Sequence, residues 1–113
     1  MFKNYLTYNL ALSFHRTCLT LEAVPIKIKE RLMQSSETMI HHFARAVHSR
    51  DAKDEAKYLY VTLTCLRDCK ETLEEAKIHP VALLLQYEVL HGRLQQICLK
   101  LADKEQGQLR MLG

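Results

Sequence analysis

The sequence of 113 residues lacks tryptophan and contains only three glycines and two prolines. So few turn-forming residues argue against a β-rich chain, which needs many tight turns. There is also no uncharged apolar run of about eighteen residues, the length at which a membrane-spanning helix is suspected. The amphipathic segment that follows Met1–Tyr5 differs from a signal peptide, which has an apolar centre. We therefore expect a cytoplasmic protein that does not enter a membrane.

The four cysteines, Cys18, Cys65, Cys69 and Cys98, all lie in or beside helical apolar stripes. Because no signal supports secretion, we expect free thiols that behave as small hydrophobes. Cys65 and Cys69 are four residues apart, so they could hold zinc together with a histidine from another helix. No second Cys/His pair completes such a site, and we expect neither a metal nor another cofactor.

Apolar residues make up 48% of the chain and recur at helical spacing in four segments. The predicted helices run from about Lys3 to Glu22, from Pro25 to His48, from Asp51 to Ile78 and from Pro80 to Ala102. Their lengths and short connections predict an all-α, antiparallel up-down-up-down four-helix bundle over residues 1–103, followed by a mobile tail over residues 104–113. The predicted inward-facing residues are Leu6, Leu10, Phe14, Cys18, Leu21, Ile28, Leu32, Met39, Ile40, Phe43, Val47, Ala56, Leu59, Leu63, Leu66, Leu73, Leu83, Tyr87, Leu90, Leu94, Ile97 and Leu101.

Helix one carries a second apolar row beside its predicted core stripe. This row contains Tyr5, Tyr8, Leu12 and Leu19. A helix with one buried face does not need two such rows. Either the helix is deeply enclosed, or the second row contacts another subunit. On the second interpretation, these four residues form an oligomer interface.

The formal net charge of +3 is concentrated in the first half of the chain. Residues 1–57 contain nine Lys/Arg and six Asp/Glu, whereas residues 58–113 contain seven of each. In helix two, His41, Arg45 and His48 share one side at i, i+4 and i+7, and His42 adjoins them. This cluster is either a phosphate-binding patch or an ordinary solvated helix face.

The sequence lacks a nucleophile elbow, a phosphate-binding glycine loop and a His-Glu-x-x-His helix, so we expect no enzymatic activity. A di-iron bundle needs two Glu-x-x-His pairs, and only Glu88 and His91 have that spacing. Tyr58 and Tyr60 lie close to the connection between the second and third predicted helices. We expect both to pack between helices rather than to offer a stacking surface for bases.

Several short segments resemble a bacterial four-helix bundle superfamily. They are Phe43-Ala44-Arg45-Ala46, Ser49-Arg50-Asp51, Glu55-Ala56-Lys57-Tyr58-Leu59, Leu66-Arg67-Asp68-Cys69, Leu73-Glu74-Glu75-Ala76 and Gln86-Tyr87. The superfamily includes proteins encoded in intervening sequences of large-subunit ribosomal RNA genes and accessory variability determinant proteins of diversity-generating retroelements. The chain departs from the accessory branch in its lower net charge.

The resemblance implies a homo-oligomer, a ring-like pentamer, that binds RNA or DNA and assists a retroelement reverse transcriptase. On this basis Arg45, Arg50, Lys53 and Lys57 would contact the polyanion. With the histidine cluster they give one predicted nucleic-acid-binding set: His41, His42, Arg45, His48, Arg50, Lys53 and Lys57. The alternative is a structural or adaptor bundle that binds a protein through the apolar face of helix one, without nucleic acid.

Overall fold

The computed structural model describes the backbone of residues 4–112 and the side chains of residues 4–104. Four helices make up the fold: α1 (Tyr5–Thr20), α2 (Ile26–His48), α3 (Ala52–Glu75) and α4 (Val81–Leu112). Each helix packs on the next, and α4 packs back on α1. This closed order of neighbours confirms the antiparallel up-down-up-down bundle.

Local signals in the sequence set the ends of α3. The Asp51 side chain accepts a hydrogen bond of 3.1 Å from the backbone N–H of Lys53, which makes Asp51 the predicted N-cap. At the other end, Lys77 adopts the left-handed conformation at φ 57°. The Lys77 and Ile78 N–H groups donate to the carbonyls of Glu74 and Leu73. This is a Schellman motif in which lysine occupies the usual glycine position.

Helix α4 is longer than the sequence predicted, since it continues past Ala102 to Leu112. The added segment contains no proline and one glycine, Gly107, and most of its other residues are good helix formers. The prediction that residues 104–113 form a mobile tail concerns residues whose side chains lie largely outside the described part of the structure.

The core lies on the bundle axis and receives side chains from all four helices. The buried apolar residues are Ala11, Phe14, Cys18, Leu32, Met39, Ile40, Phe43, Ala46, Val47, Leu59, Leu63, Leu66, Cys69, Leu73, Leu83, Tyr87, Leu90, Leu94 and Leu101. Most predicted core residues of α2, α3 and α4 are among them. Ile28, Ala56 and Ile97 are half-buried against this core.

The predicted core stripe of α1 is partly wrong. Leu6 is 67% exposed, and the fully buried residues are Thr7, Ala11, Phe14 and Cys18. The side of α1 that faces the core therefore lies between its two apolar rows. One row then flanks α2 and the other flanks α4, because a helix in a four-helix bundle has two neighbours.

Candidate nucleic-acid interface

The outward side of the C-terminal half of α2 carries three of the predicted binding residues. His41, Arg45 and His48 are all exposed there. His48 also lines a small pocket of about 120 Å³ with Tyr8, Ala44 and Val47, so its side chain lies toward α1. Arg45 therefore lies at the centre of this cluster, with His41 one turn before it and His48 one turn after it.

The fourth residue of this cluster, His42, is half-buried toward α3. Its Nδ1 lies 2.9 Å from the carbonyl of Thr38, and its ring is 6.4 Å from the ring of Tyr58. The Arg45 guanidinium lies 5.9 Å from the same tyrosine ring, within cation–π distance. Tyr58 therefore holds both side chains at the α2–α3 edge, and Arg45 is the one that faces solvent.

The remaining cations follow directly along the chain. Arg50 lies in the connection between α2 and α3, and Lys53 and Lys57 lie one turn apart on α3. All three are exposed. Among residues 4–104, no ion pair involves Arg45, Arg50, Lys53 or Lys57. We call these four residues the basic surface.

Three acidic residues lie in the same stretch, and they differ in their surroundings. Residues 41–57 contain four Lys/Arg and three Asp/Glu. Asp51 caps α3, and Glu55 is only 6% exposed. Asp51 and Asp54 are both exposed, so four cations and two carboxylates lie on the solvent side of this end of the bundle.

Two other cations in the described part of the chain, Arg31 and Lys70, contrast with the basic surface because each lies in ion pairs. Arg31 donates to Asp68 at 2.9 Å and to Glu75 at 3.1 Å. The Ser35 hydroxyl donates to Asp68 at 2.5 Å. Partial burial pushes the pKa of Asp68 upward, but the hydrogen bonds from Ser35 and Arg31 outweigh it and hold the pKa below its ordinary value. Lys70 likewise pairs with acidic side chains, at 4.0 and 3.7 Å.

The structure contradicts one prediction beside the basic surface. Tyr58 packs against the core as expected, but Tyr60 is 70% exposed. The helical period alone does not decide its position, because Leu59, Leu63 and Leu66 define the inward side of α3 and Tyr60 lies on a flank about a quarter turn from that side. An exposed aromatic ring thus stands one turn after Lys57.

The four residues predicted as an oligomer interface do not form one exposed face. Tyr8 and Leu12 are half-buried against the core, and the Tyr8 ring meets Phe43 edge-on at 5.9 Å. Tyr5 and Leu19 are more exposed. This row of α1 therefore contributes to the contact with α2.

Sequence reasoning missed a different apolar surface, which lies between α1 and α4. A groove of about 320 Å³ there is lined by Leu10, Ser13, Leu85, Gln86 and Val89. Leu85 and Val89 are 64% and 53% exposed. Leu85 and Val89 are four residues apart on a face of α4 that lies beside its core stripe. This helical spacing could have identified the apolar surface from the sequence.

Two of the four thiols, Cys18 and Cys69, are buried packing groups, whereas Cys65 and Cys98 are half-buried against the core. Cys18 and Cys69 are fully buried, and hydrogen bonding between them together with burial raises the pKa of Cys69 far above its ordinary value. Among the described residues, no Cα atom of α1 lies within 8 Å of one of α3. A disulfide needs Cα atoms roughly 4.4–6.8 Å apart, so this pair does not fit one. Among the described residues, no three or more His, Cys, Asp or Glu side chains are grouped so that they could hold a metal ion.

Comparisons with known proteins give no relative. No protein-family model, no curated protein and no solved structure matches the chain. None of the helices, over the residues that the structure describes, combines the length and apolarity needed to cross a bilayer. Function must therefore be argued from the surface of the bundle.

Proposed function

We propose that this protein is a non-enzymatic nucleic-acid-binding protein and that its basic surface holds the phosphate backbone. The observation that carries the proposal is the placement of Arg45, Arg50, Lys53 and Lys57 on one exposed end of the bundle without an ion pair to residues 4–104. Cations that form no ion pair with the described residues are available to displace counterions from a polyanion. Arg45 and Arg50 can also form two parallel hydrogen bonds with a phosphate.

The basic surface lies on the outward sides of helices, and this favours contact with phosphates rather than with base edges. Phosphate contacts fix the position of a protein on a nucleic acid but carry no sequence information. We therefore expect binding with little dependence on sequence.

The proposal includes self-association. The resemblance noted in the sequence implies a ring-like homopentamer that assists a reverse transcriptase, and the exposed Leu6, Leu85 and Val89 offer apolar contact area for a second copy. Several copies of the basic surface in one assembly would increase avidity without any new contact. Buried thiols at Cys18 and Cys69 agree with action in a reducing cytoplasm.

Two charge-matched double variants test the basic surface. Arg45→Ala with Arg50→Ala removes two cations from it, and Arg93→Ala with Lys100→Ala removes two exposed cations from α4. Affinity for a mixed-sequence oligonucleotide is measured at low salt by fluorescence anisotropy. We expect the first pair to weaken binding clearly more than the second. Equal effects of the two pairs would contradict the location, and no binding by the wild type would contradict the function.

A second candidate is supported by the apolar groove between α1 and α4. An adaptor bundle that binds a protein helix would use such a surface, since amphipathic helices dock in apolar grooves. Leu85→Glu together with Val89→Glu would abolish that function without changing a residue of the basic surface. A protein that binds no nucleic acid at low salt, but loses a protein partner in this variant, would favour the adaptor.

A further inference from the structure

We propose, on the basis of the nucleic-acid-binding function above, that the ligand is single-stranded RNA or DNA and that one of its bases stacks on the Tyr60 ring. Lys53 and Lys57 hold the phosphates beside that base. This inference assigns a ligand class and a contact residue that the basic surface alone does not give.

The Tyr60 side chain is available for such a contact. Its ring is 70% exposed, and no side-chain hydrogen bond, ring contact or cation–π contact involves it among residues 4–104. Its backbone lies within α3, where its carbonyl also accepts a hydrogen bond of 3.0 Å from the Thr64 hydroxyl. The ring therefore contributes little to the fold, and a partner can cover it without breaking an existing contact.

Two cations precede this ring on the outward side of α3. Lys57 lies one turn before Tyr60 and Lys53 one turn before that, so the three residues follow one stripe of α3 with steps of about 4.5 and 6 Å along its axis. An aromatic ring on a basic track is the arrangement that binds single strands without sequence preference.

A duplex cannot stack a base on the Tyr60 ring. In a base-paired helix the faces of the bases are already covered by their neighbours, and proteins reach only phosphates and the edges of bases in the grooves. A ring on an outward helix face therefore gains no stacking with a duplex. Stacking adds to the electrostatic contacts only when the bases are unpaired.

The first test compares four probes that share negative charge. They are an oligodeoxythymidylate, its ribose counterpart, a duplex of the same length and inorganic polyphosphate, which has no bases. We expect Tyr60→Ala to lower the affinity for both single strands about ten-fold and to leave duplex and polyphosphate binding unchanged. Tyr60→Phe keeps a ring and should retain most of the affinity. Leu99→Ala, at another exposed apolar residue, should change nothing.

The outcomes separate the two proposals. If polyphosphate and every nucleic acid fail to bind the wild type at low salt, both proposals fall. If all probes bind and Tyr60→Ala weakens none of them, or weakens all of them equally, the stacking proposal falls and the basic surface stands. A loss restricted to the ribose or to the deoxyribose strand supports stacking and identifies which of the two the site prefers.

A spectroscopic test uses the absence of tryptophan from the chain. Tyr60→Trp introduces a single indole at the proposed contact. We expect its fluorescence to be quenched by the single strand and not by polyphosphate at equal occupancy. Similar quenching by both, or by neither, would overturn base stacking at this position.

Discussion

The guanidinium of Arg45 lies 5.9 Å from the centre of the Tyr58 ring, and this contact joins α2 to α3 at the basic surface. It orients a cation that would otherwise sample many rotamers. Preorganised cations lose less conformational entropy when they bind a phosphate. The contact therefore serves both the packing of two helices and the proposed function.

Replacement of Tyr58 tests this contact. We expect Tyr58→Phe to preserve stability, whereas Tyr58→Leu loses the π face under Arg45. A double-mutant cycle of Tyr58→Leu with Arg45→Ala, read from denaturant unfolding, should give a coupling free energy of about 0.5–1 kcal/mol. Additive effects of the two changes would show that the two side chains do not interact.

The rotation of α1 predicts a large effect at one residue and a small effect at another, although sequence patterning places both in the same stripe. Phe14→Ala removes a fully buried ring and should lower the free energy of unfolding by about 3–5 kcal/mol. Leu6→Ala should change it by less than about 0.5 kcal/mol, because Leu6 is largely exposed. A large loss at Leu6 would contradict the observed rotation. Urea unfolding followed by circular dichroism measures both.

The end of α3 offers a stabilising substitution. Lys77 has φ 57°, a conformation that costs an L-residue with a side chain about 1–2 kcal/mol and glycine almost nothing. We expect Lys77→Gly to raise the free energy of unfolding by about 0.5–1 kcal/mol, after the greater entropy of glycine in the unfolded chain is subtracted. Lys77→Ala is the control, since it removes the charge and keeps the strain. A gain in the control as large as that with glycine would contradict the explanation.

His91 makes stability depend on pH. Its ring stacks on Tyr87 at 5.3 Å, and its Nε2 accepts a hydrogen bond of 3.3 Å from Arg67. Burial lowers the pKa of His91 below 6.5, and the nearby charges of Arg67 and Lys70 lower it further, against the opposing effect of Glu88.

The unfolded chain therefore binds a proton at His91 more readily than the folded protein does. The stabilising contribution is complete above about pH 6.5 and is lost as the pH falls toward the folded-state pKa. His91→Gln keeps an acceptor for Arg67 and should flatten the pH dependence of unfolding over this range. His41→Gln, at an exposed position, is the control. An unchanged pH profile in His91→Gln would refute the assignment.

The sequence predicted the fold well because four long periodic segments and short connections leave few arrangements. Leu59, Leu63 and Leu66 identified the inward side of α3, and Asp51 identified its start. Helix α1 was misjudged because it carries two apolar rows, and hydrophobicity alone does not say that Ala11 and Thr7 face the core between them. Which side of α1 faces the core depends on how α2 and α4 pack against it.

The candidate site was predicted only in part. The cations from Arg45 to Lys57 are exposed, as a charged stretch in a helical hairpin normally is. The Arg45–Tyr58 contact joins two helices, so no local pattern contains it. Exposure of Tyr60 did not follow from the period of α3, because Tyr60 lies on a flank of the inward side, and a general preference for packed tyrosine was given more weight.

The salt dependence of nucleic-acid binding tests the central claim most directly. Affinity of the wild type for a single-stranded oligonucleotide is measured over a series of salt concentrations, and the logarithm of the binding constant is plotted against the logarithm of salt. We predict a steep negative slope that becomes shallower by about one to two in the variant with Arg45→Ala and Arg50→Ala. A flat plot, or a slope that the variant leaves unchanged, would contradict binding of phosphates by this surface.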